Sequence, residues 1–252
     1  MNICLFTPQE IQKPLSLKDE RAQHIIKILH KKESESFSAG IINGCSGIAT
    51  ITAINTQTGE LEFSFTPTGN GKPLYPLEMI VGFPRPIQLK RLLRDMAGLG
   101  VRRIYLTATE LGEKSYLNSE LATPEAGKKM LLEGTIQAAG THVPDLYIYS
   151  SLCECLTAVK KNNADSLCAV LENARPNAGI NDFIKEQIKS PISDNFKAVA
   201  AIGSERGWTQ KELELFDKFG YSRLSMGIRV LRTETAATVA ASLLLGAMGF
   251  LN

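Results

Sequence analysis

The sequence is poor in the residues that build disulfide frameworks and zinc sites, and it carries little excess charge. Its 252 residues include 1 tryptophan, 3 histidines and 5 cysteines. The odd number and irregular spacing of the cysteines argue against a disulfide framework, and no pairs of Cys and His stand at the spacing of zinc ligands. Lys and Arg number 28 against 26 Asp and Glu, which leaves a net charge of +2. A nucleic-acid partner would therefore require a local basic surface.

Long apolar segments are also absent. The longest, from Val239 to Leu251, is too short to span a bilayer and contains Ser242, Gly246 and Gly249. The N-terminus shows no basic stretch followed by an apolar one, as a secretory signal would. Because the cysteines suggest a reducing compartment as well, we expect a cytoplasmic protein with no membrane partner.

Several common ligand motifs are missing too. The sequence has no G-x-G-x-x-G after a strand, no Walker A sequence and no nucleophile elbow. His24, His30 and His142 lie far apart and suggest neither a catalytic triad nor a metal site. We therefore expect no dinucleotide site of the common kind and no bound metal.

The first part of the chain, residues 1–72, has the pattern of a small antiparallel β-barrel. A short helix is predicted to begin at Ser16-Leu-Lys-Asp19 and to end near His30, after which the apolar period changes to two. Strands are predicted at 36–40, 47–54 and 60–66, with glycine-containing turns between them. The segment 69–73, rich in Gly and followed by Pro76, is the predicted linker to a second domain.

The second predicted domain, residues 76–252, alternates strands with helices, which is the pattern of a parallel α/β sheet. The strands are predicted at 79–83, 101–107, 146–149, 166–171, 197–202 and 221–226. The helices are predicted from Pro86 to Gly100, from Thr123 to Gly140, from the capping box Thr209-Gln-Lys-Glu212 to Gly220, and from Thr235 to Met248. Strand 197–202, KAVAAI, has too little polarity to face water, so we expect both its sides to be covered.

Two loops stand where open parallel sheets bind their ligands, at the carboxyl ends of strands. The first is Ile202-Gly-Ser-Glu-Arg-Gly-Trp-Thr209, and the second is Met226-Gly-Ile-Arg-Val-Leu-Arg-Thr-Glu-Thr235. Gly203, Gly207 and Gly227 would let a ligand approach the backbone closely.

Both loops resemble the C-terminal signatures of the bacterial 16S ribosomal RNA uridine N3-methyltransferases, which belong to the SPOUT superfamily of knotted methyltransferases. That family reads I-G-P-E-G-G and L-G-x-R-I/V-L-R-T-E-T-A, whereas this chain has Ser204 and Arg206 in place of the proline and a glycine. If that glycine requires a positive φ, Arg206 costs about 1 kcal/mol of strain. Further matches at His24–Leu29, Leu99–Val101 and Gln137–Pro144 extend the resemblance over both domains.

The resemblance implies a fold, a cofactor and a reaction. The fold is a PUA-like RNA-binding barrel followed by an α/β domain with a deep trefoil knot, through which the family forms homodimers. The cofactor is S-adenosylmethionine, and the reaction is methylation of uridine N3 in 16S ribosomal RNA of the small subunit. The residues implied to line the cofactor are Leu171, Gly203, Glu205, Gly207, Met226, Gly227, Leu231 and Thr235.

The catalytic candidates stand in the second loop. Transfer of a methyl group to uridine N3 requires loss of a weakly acidic proton, and a cation near O2 or O4 would stabilise the uracil anion. Arg232 is the first candidate for that cation and Arg229 the second. Glu234 is a candidate base, or it holds Arg232 in place.

Basic and aromatic residues supply the candidates for RNA contact. Lys90, Arg91 and Arg94 share one face of a predicted helix, which suits either phosphate binding or an ordinary solvated surface. The full set of candidate RNA-binding residues is Lys27, Lys31, Lys32, Arg85, Lys90, Arg91 and Arg94. For Trp208 we favour a hydrophobic staple with Leu213 over stacking on a base.

Two other functions remain open at this point. The chain could be an RNA methyltransferase of the same superfamily with another base or ribose as its target. It could also be a non-catalytic RNA-binding or ribosome-assembly factor that has kept the fold. Calorimetry with S-adenosylmethionine would distinguish the second alternative from the enzymes.

Overall fold

The structure is a computed structural model that describes residues 2–163, 166–188 and 196–251, without the side chain of Leu121. The chain divides into two compact units. The first comprises Met1–Pro73 and Leu132–Val143, and the second comprises Leu74–Leu131 and Pro144–Asn252.

The first unit is built on a curled five-stranded sheet with the order β1-β3-β4-β5-β2. Its strands are β1 (Cys4–Phe6), β2 (Leu15–Ser16), β3 (Ser36–Ile41), β4 (Ser46–Asn55) and β5 (Glu60–Gly69). All pairs are antiparallel except β1 with β3, and β4 carries register shifts against β5 that bend the sheet. Phe6, Ile25, Ile51 and Leu61 are buried in its core. The prediction of a small, mainly antiparallel PUA-like sheet is confirmed.

The first helix differs from its prediction at the N-terminal end. Helix α1 spans Glu20–Gln23 and continues as a π-helix over His24–Ile28. Its N-cap is Asp19, whose carboxylate accepts a hydrogen bond from the backbone N–H of Arg21 at 2.8 Å. The predicted start at Ser16 is wrong because Ser16 pairs with Glu60 in the β2–β5 ladder.

Residues Leu132–Val143 belong to the first unit, and they form hydrogen bonds with other residues of that unit. The backbone N–H of Asn43 donates to the carbonyl of Thr141 at 2.8 Å, and the Thr141 hydroxyl donates to the carbonyl of Gly44 at 2.7 Å. The Lys72 ammonium donates to the carbonyl of Ala138 at 2.9 Å. The predicted domain boundary instead assigns this segment to residues 76–252.

The second unit alternates strands and helices, as predicted. Its strands are β6 (Tyr75–Gly82), β7 (Val101–Thr107), β8 (Asp145–Tyr149), β9 (Leu167–Leu171), β10 (Ala178–Gly179), β11 (Ala198–Ile202) and β12 (Ser222–Ser225). The helices are α2 (Pro86–Gly98), α3 (Lys114–Leu117), α4 (Pro124–Gln137), α5 (Leu152–Asn162), α6 (Ile180–Gln187), α7 (Gln210–Lys218) and α8 (Thr233–Ala247), with a 3-10 turn at Glu120–Ala122. Helices α3, α5 and α6 and strand β10 were not predicted, and α8 begins two residues before its predicted start at Thr235.

The seven strands form one parallel sheet with the order β10-β12-β9-β11-β6-β7-β8. Strand β11 lies between β9 and β6, and all five of its residues are buried. Val199 and Ala201 pack in one apolar cluster with Leu156 of α5 and Phe216 of α7, while α8 also contacts β11. The prediction that both sides of this strand are covered is confirmed. The trefoil knot that the resemblance implies stays a prediction.

No helix in the described part of the chain is both long and apolar enough to cross a membrane.

A buried carboxylate in the sheet of the second unit receives three hydrogen bonds. Glu78 is 2% exposed and accepts from the Arg103 guanidinium at 3.0 Å, the Tyr105 hydroxyl at 2.7 Å and the Asn163 amide at 2.7 Å. Burial, followed by the bond to Glu78, raises the pKa of Tyr105. The three donors compensate for removing this charge from water.

We expect Tyr105→Phe to lower the free energy of unfolding by about 1.5 kcal/mol, because it removes one buried hydrogen bond to a charged group. Urea denaturation would measure the change. Tyr147→Phe is a matched control, because Tyr147 stacks on Tyr105 at 5.3 Å between ring centroids but is 42% exposed. Equal stability of both variants would show that the Tyr105 hydroxyl contributes nothing.

Candidate cofactor and catalytic site

A cavity of about 500 Å³ lies at the carboxyl ends of three neighbouring strands, β11, β9 and β12. Six of the predicted cofactor residues line it, namely Leu171, Gly203, Glu205, Gly207, Met226 and Leu231. Gly227 and Thr235 are not part of its wall, although Gly227 directly follows Met226. The position agrees with the general rule for ligand sites in open parallel sheets.

The loop after β11 is a tight turn that depends on two glycines. A Cβ atom on Gly203 would lie 2.8 Å from the Cα of Gly207, closer than packed atoms allow. Gly207 has a φ of 70° and donates its N–H to the carbonyl of Ser204 at 2.8 Å. The condition for strain at Arg206 is not met, because the left-handed conformation falls on Gly207 and Arg206 has no positive φ.

Two side chains fix this turn to neighbouring parts of the second unit. The Glu205 carboxylate accepts a hydrogen bond from the backbone N–H of Arg85 at 2.7 Å. The hydroxyls of Ser204 and Thr109 lie 3.0 Å apart and share a hydrogen bond. A proline at position 204 could not make the second contact, so this departure from the family pattern has a structural consequence.

The loop after β12 places two arginines at the cavity. Gly227 has a φ of 112°, and its N–H donates to the Ser225 hydroxyl at 3.0 Å. Arg229 and Arg232 both line the cavity and are exposed. Within the described part of the chain neither guanidinium forms an ion pair with a carboxylate. The cavity therefore has two cations available to an anionic group.

Glu234 lies in the first turn of α8, outside the cavity wall. It is 7% exposed, and its Oε2 atom has no hydrogen-bond partner among the described residues. A buried carboxylate outside the wall is poorly placed to take a proton from a substrate. Its geometry suits a positioning role near the start of α8 better than the role of base.

Some lining residues were missed from the sequence. Glu172, Asn173 and Ala174 follow β9, and Gln88 comes from α2. The Asn173 amide donates to the carbonyl of Arg229 at 3.3 Å, and the Oε1 atom of Gln88 is buried without a partner in the described residues. The end of strand 166–171 was a usable signal for the first three, whereas Gln88 enters only through tertiary packing.

The predicted RNA-binding residues fall into separate groups. Lys27 and Lys32 are exposed and Lys31 is half-buried in the first unit, while Lys90 and Arg91 are exposed on α2. Arg94, also on α2, is half-buried and has a partner. The Arg85 guanidinium donates to the Tyr116 hydroxyl at 3.1 Å, which raises the pKa of Arg85.

Trp208 cannot stack on a base. It is 3% exposed, and its ring packs against that of Phe216 with 4.8 Å between centroids. Leu213 lies in the same apolar cluster, as the staple requires.

Among the described residues, no group of three or more His, Cys, Asp or Glu side chains could hold a metal ion. Burial raises the pKa of the Cys4 and Cys155 thiols to about 12. Both thiols therefore stay protonated near neutral pH and are poor nucleophiles.

The fold and the cavity define the class of this protein. The cavity lies at the carboxyl edge of a parallel sheet and is lined by glycines and two arginines without ion-pair partners among the described residues. Residues 70–245 match a family model described as RNA methyltransferase domain. The chain therefore belongs to the RNA methyltransferase domain family.

Its relatives are more specific. The chain is 38% identical to "Ribosomal RNA small subunit methyltransferase E" of Treponema pallidum, over 97% of this chain and 91% of the relative. It is 34% identical to "Ribosomal RNA small subunit methyltransferase E 1" of Borreliella burgdorferi, over 97% of each chain. The fold is similar to the crystal structure of a ribosomal RNA small subunit methyltransferase E from Neisseria gonorrhoeae bound to S-adenosyl methionine. That structure has a TM-score of 0.76 and 19% identity, with 98% of this chain and 97% of the other covered.

Proposed function

We propose that this enzyme transfers the methyl group of S-adenosylmethionine to N3 of a uridine in 16S ribosomal RNA, as a cytoplasmic homodimer. The observation that carries the proposal is the cavity at β9, β11 and β12, which joins a glycine turn to two unpaired arginines. The names of the two curated relatives support ribosomal RNA as the substrate, and the Neisseria gonorrhoeae structure supports the cofactor.

The cavity fits S-adenosylmethionine. A side chain would not fit at Gly203, and Gly207 has a positive φ of 70°, so this turn is bare backbone that can hold a ligand through backbone groups. Leu171, Met226 and Leu231 supply apolar contacts for the adenosyl group. When bound, the cofactor supplies an electrophilic methyl group.

The arginines supply the remaining chemistry. Uridine N3 must give up its proton, here to solvent water, as it takes the methyl group, and the negative charge that develops spreads onto O2 and O4 of the uracil. Arg232 is the N-cap of α8, where the helix dipole adds positive potential. It makes no side-chain hydrogen bond to the helix, so its guanidinium is available to the anion. Arg229, on the same loop, is the second candidate for this contact.

Mapping the modified nucleosides of 16S ribosomal RNA tests the proposal. A strain that lacks the gene should lose one N3-methyluridine, and expression of this chain should restore it. The Arg232→Ala variant, expressed at the same level, should not. Restoration of a different modified base or of a ribose methyl group would favour another RNA methyltransferase of the superfamily. No change in modification would favour a non-catalytic factor.

The homodimer is proposed from the resemblance and from exposed apolar residues in the second unit. Ile228 is fully exposed, and Val230 is 89%, Phe250 37% and Leu251 43% exposed. A second copy of the chain would cover such residues. Sedimentation equilibrium should give twice the chain mass of 27.5 kDa. A mass equal to one chain at micromolar concentration would contradict the dimer.

We further propose that the basic face of α2 binds phosphates of the RNA. The double variant Lys90→Gln with Arg91→Gln should weaken binding of 16S ribosomal RNA and lower the salt slope of log K by about 0.7–0.9 for each lost contact. Filter binding over a range of salt concentrations would measure this. Lys161→Gln with Lys185→Gln, two exposed lysines on α5 and α6, serves as the control. Equal slopes in both double variants would remove this face from the RNA contact.

A further inference from the structure

A second cavity, of about 790 Å³, opens on the same edge of the sheet as the candidate cofactor cavity. It lies at the ends of β6, β7 and β8, and helices α3 and α7 complete its wall together with the start of α5. Its volume lies within the usual range for ligand sites. None of the cofactor or catalytic residues predicted from the sequence lines the described part of this cavity.

Hydrogen bonds connect the walls of the two cavities. Ser204 lines the cofactor cavity and bonds to Thr109, which lines the second one. Further along the same segment, the Thr209 hydroxyl donates to the Glu110 carboxylate at 2.7 Å, and the Glu110 N–H donates to Glu212 at 2.9 Å. A ligand in the second cavity would therefore contact a wall that also shapes the cofactor site.

The second cavity offers an apolar surface for a flat ring. Phe83 and Leu152 are buried in its wall, and Leu117 and Leu215 are half-buried there. A nucleobase presents two apolar faces and a polar edge, so such a surface suits one base taken out of a stack.

Two exposed carboxylates in the wall of this cavity discriminate between bases, beside the neutral polar side chains of Asn118, Ser150 and Ser151. Glu113 and Glu214 are exposed, and each has one carboxylate oxygen in a hydrogen bond, from Ser115 at 3.4 Å and from Gln210 at 3.0 Å. Within the described residues their other oxygens remain open. Carboxylates accept N–H groups and repel carbonyls. Cytosine, adenine and guanine carry an exocyclic amine, whereas uracil presents two carbonyls and one N–H.

The rim carries three lysines, Lys114, Lys211 and Lys218. All three are exposed, and none forms an ion pair in the part of the chain that the structure describes. Ammonium groups beside a base site are suited to the phosphates of the same strand.

We infer that the second cavity binds a nucleotide that flanks the target uridine, with an amine-bearing base inside and its phosphate at the lysines. The inference rests on the proposed function, which makes RNA the substrate. The second cavity would thus recognise a base next to the methylated uridine in the RNA sequence. The target uracil itself would bind at the arginines of the cofactor cavity.

Binding of single nucleotides tests this inference directly. The probes are the 5′-monophosphates of guanosine, adenosine, cytidine and uridine, titrated into the full chain saturated with S-adenosylmethionine. Methyl NMR signals of Leu117, Leu152 and Leu215 report on the second cavity, and those of Leu171 and Leu231 report on the first. We expect at least one amine-bearing nucleotide to shift the first three signals with an affinity about five-fold or more above that of the uridine nucleotide. Uridine binding as tightly, or no shift at millimolar nucleotide, would overturn the inference.

Two variants test whether the carboxylates of Glu113 and Glu214 cause the preference for amine-bearing nucleotides. Glu113→Gln with Glu214→Gln should remove most of the preference over uridine, because an amide presents an N–H where the carboxylate only accepted. Glu186→Gln, at an exposed position of α6, is the control and should keep the preference. An unchanged preference in the double variant would also overturn the inference. Failure of the proposed function is seen separately, as an absence of methylation by the wild-type chain.

Discussion

Arg232→Ala is expected to slow single-turnover methyl transfer about 10²–10³-fold, which is the usual cost of losing one electrostatic donor at a reacting anion. The guanidinium lines the cofactor cavity, is exposed and has no carboxylate partner among the described residues. Its removal should leave the fold intact, because the side chain makes no capping bond to α8. The measurement uses saturating ribosomal RNA and cofactor, with calorimetry for S-adenosylmethionine in parallel.

Cofactor affinity should change little, since apolar side chains and backbone form most of the opposing wall. Arg232→Lys should restore only part of the rate, because an ammonium lacks the planar fork of donors. Arg102→Ala, at an exposed position near the start of β7 and thus at the opposite edge of the sheet, is the matched control. A near-normal rate with unchanged cofactor affinity in Arg232→Ala would show that Arg232 has a structural role only. A near-normal rate at saturating cofactor with strongly weakened cofactor binding would make Arg232 a residue that organises the loop and would pass the catalytic assignment to Arg229.

Local signals allowed most of the second unit to be predicted. The capping box at Thr209 and Glu212 is complete in the structure, with both of its hydrogen bonds present. The apolar run at 197–202 became β11, since a strand buried on both faces needs no alternation. Both features depend on neighbours in sequence, which is why the residues alone predict them.

The misses have different physical origins. Helix α5 buries Leu152, Cys155, Leu156 and Val159, so the sequence does carry a helical period there, although the prediction lacks this helix. The parallel pairing of β1 with β3 joins residues far apart in the chain, and no local pattern encodes it. The conditional strain at Arg206 does not arise, because a loop's φ values follow from its closure, which here places the positive φ at Gly207.

The cofactor cavity was predictable where its residues directly follow the carboxyl end of a predicted strand. Loops after β11 and β12 were found because glycine and charge stand directly behind apolar strands. Gln88 was not predicted as a lining residue, because its position at the cavity depends on how α2 packs in the second unit. The second cavity was missed for a similar reason: its wall combines the loops after β6, β7 and β8 with residues of α7, and only tertiary packing brings α7 to these loops.

The glycine turn after β11 gives the second large effect. Gly203→Val is expected to weaken binding of S-adenosylmethionine by about 3 kcal/mol, the upper end of the cost of overpacking, or about 150-fold in Kd. The Cβ atom would lie 2.8 Å from the Cα and 2.9 Å from the carbonyl carbon of Gly207. Because both are backbone atoms, the turn must open, and with it the wall that holds the cofactor. Calorimetry would measure the affinity.

Gly82→Ala should act in the same direction from the other side of the turn, because its Cβ would lie 2.5 Å from the backbone nitrogen of Ser204. Gly98→Ala is the matched control: it adds a Cβ at the end of α2, where no atom beyond the helix's own backbone lies within 4 Å, and should bind the cofactor as the wild type does. Near-ultraviolet circular dichroism of the three variants separates a local change from unfolding. If Gly203→Val keeps its native spectrum and binds S-adenosylmethionine with unchanged affinity, the turn at 203–207 does not form the cofactor wall, and the cofactor must lie against the loops after β9 and β12 alone.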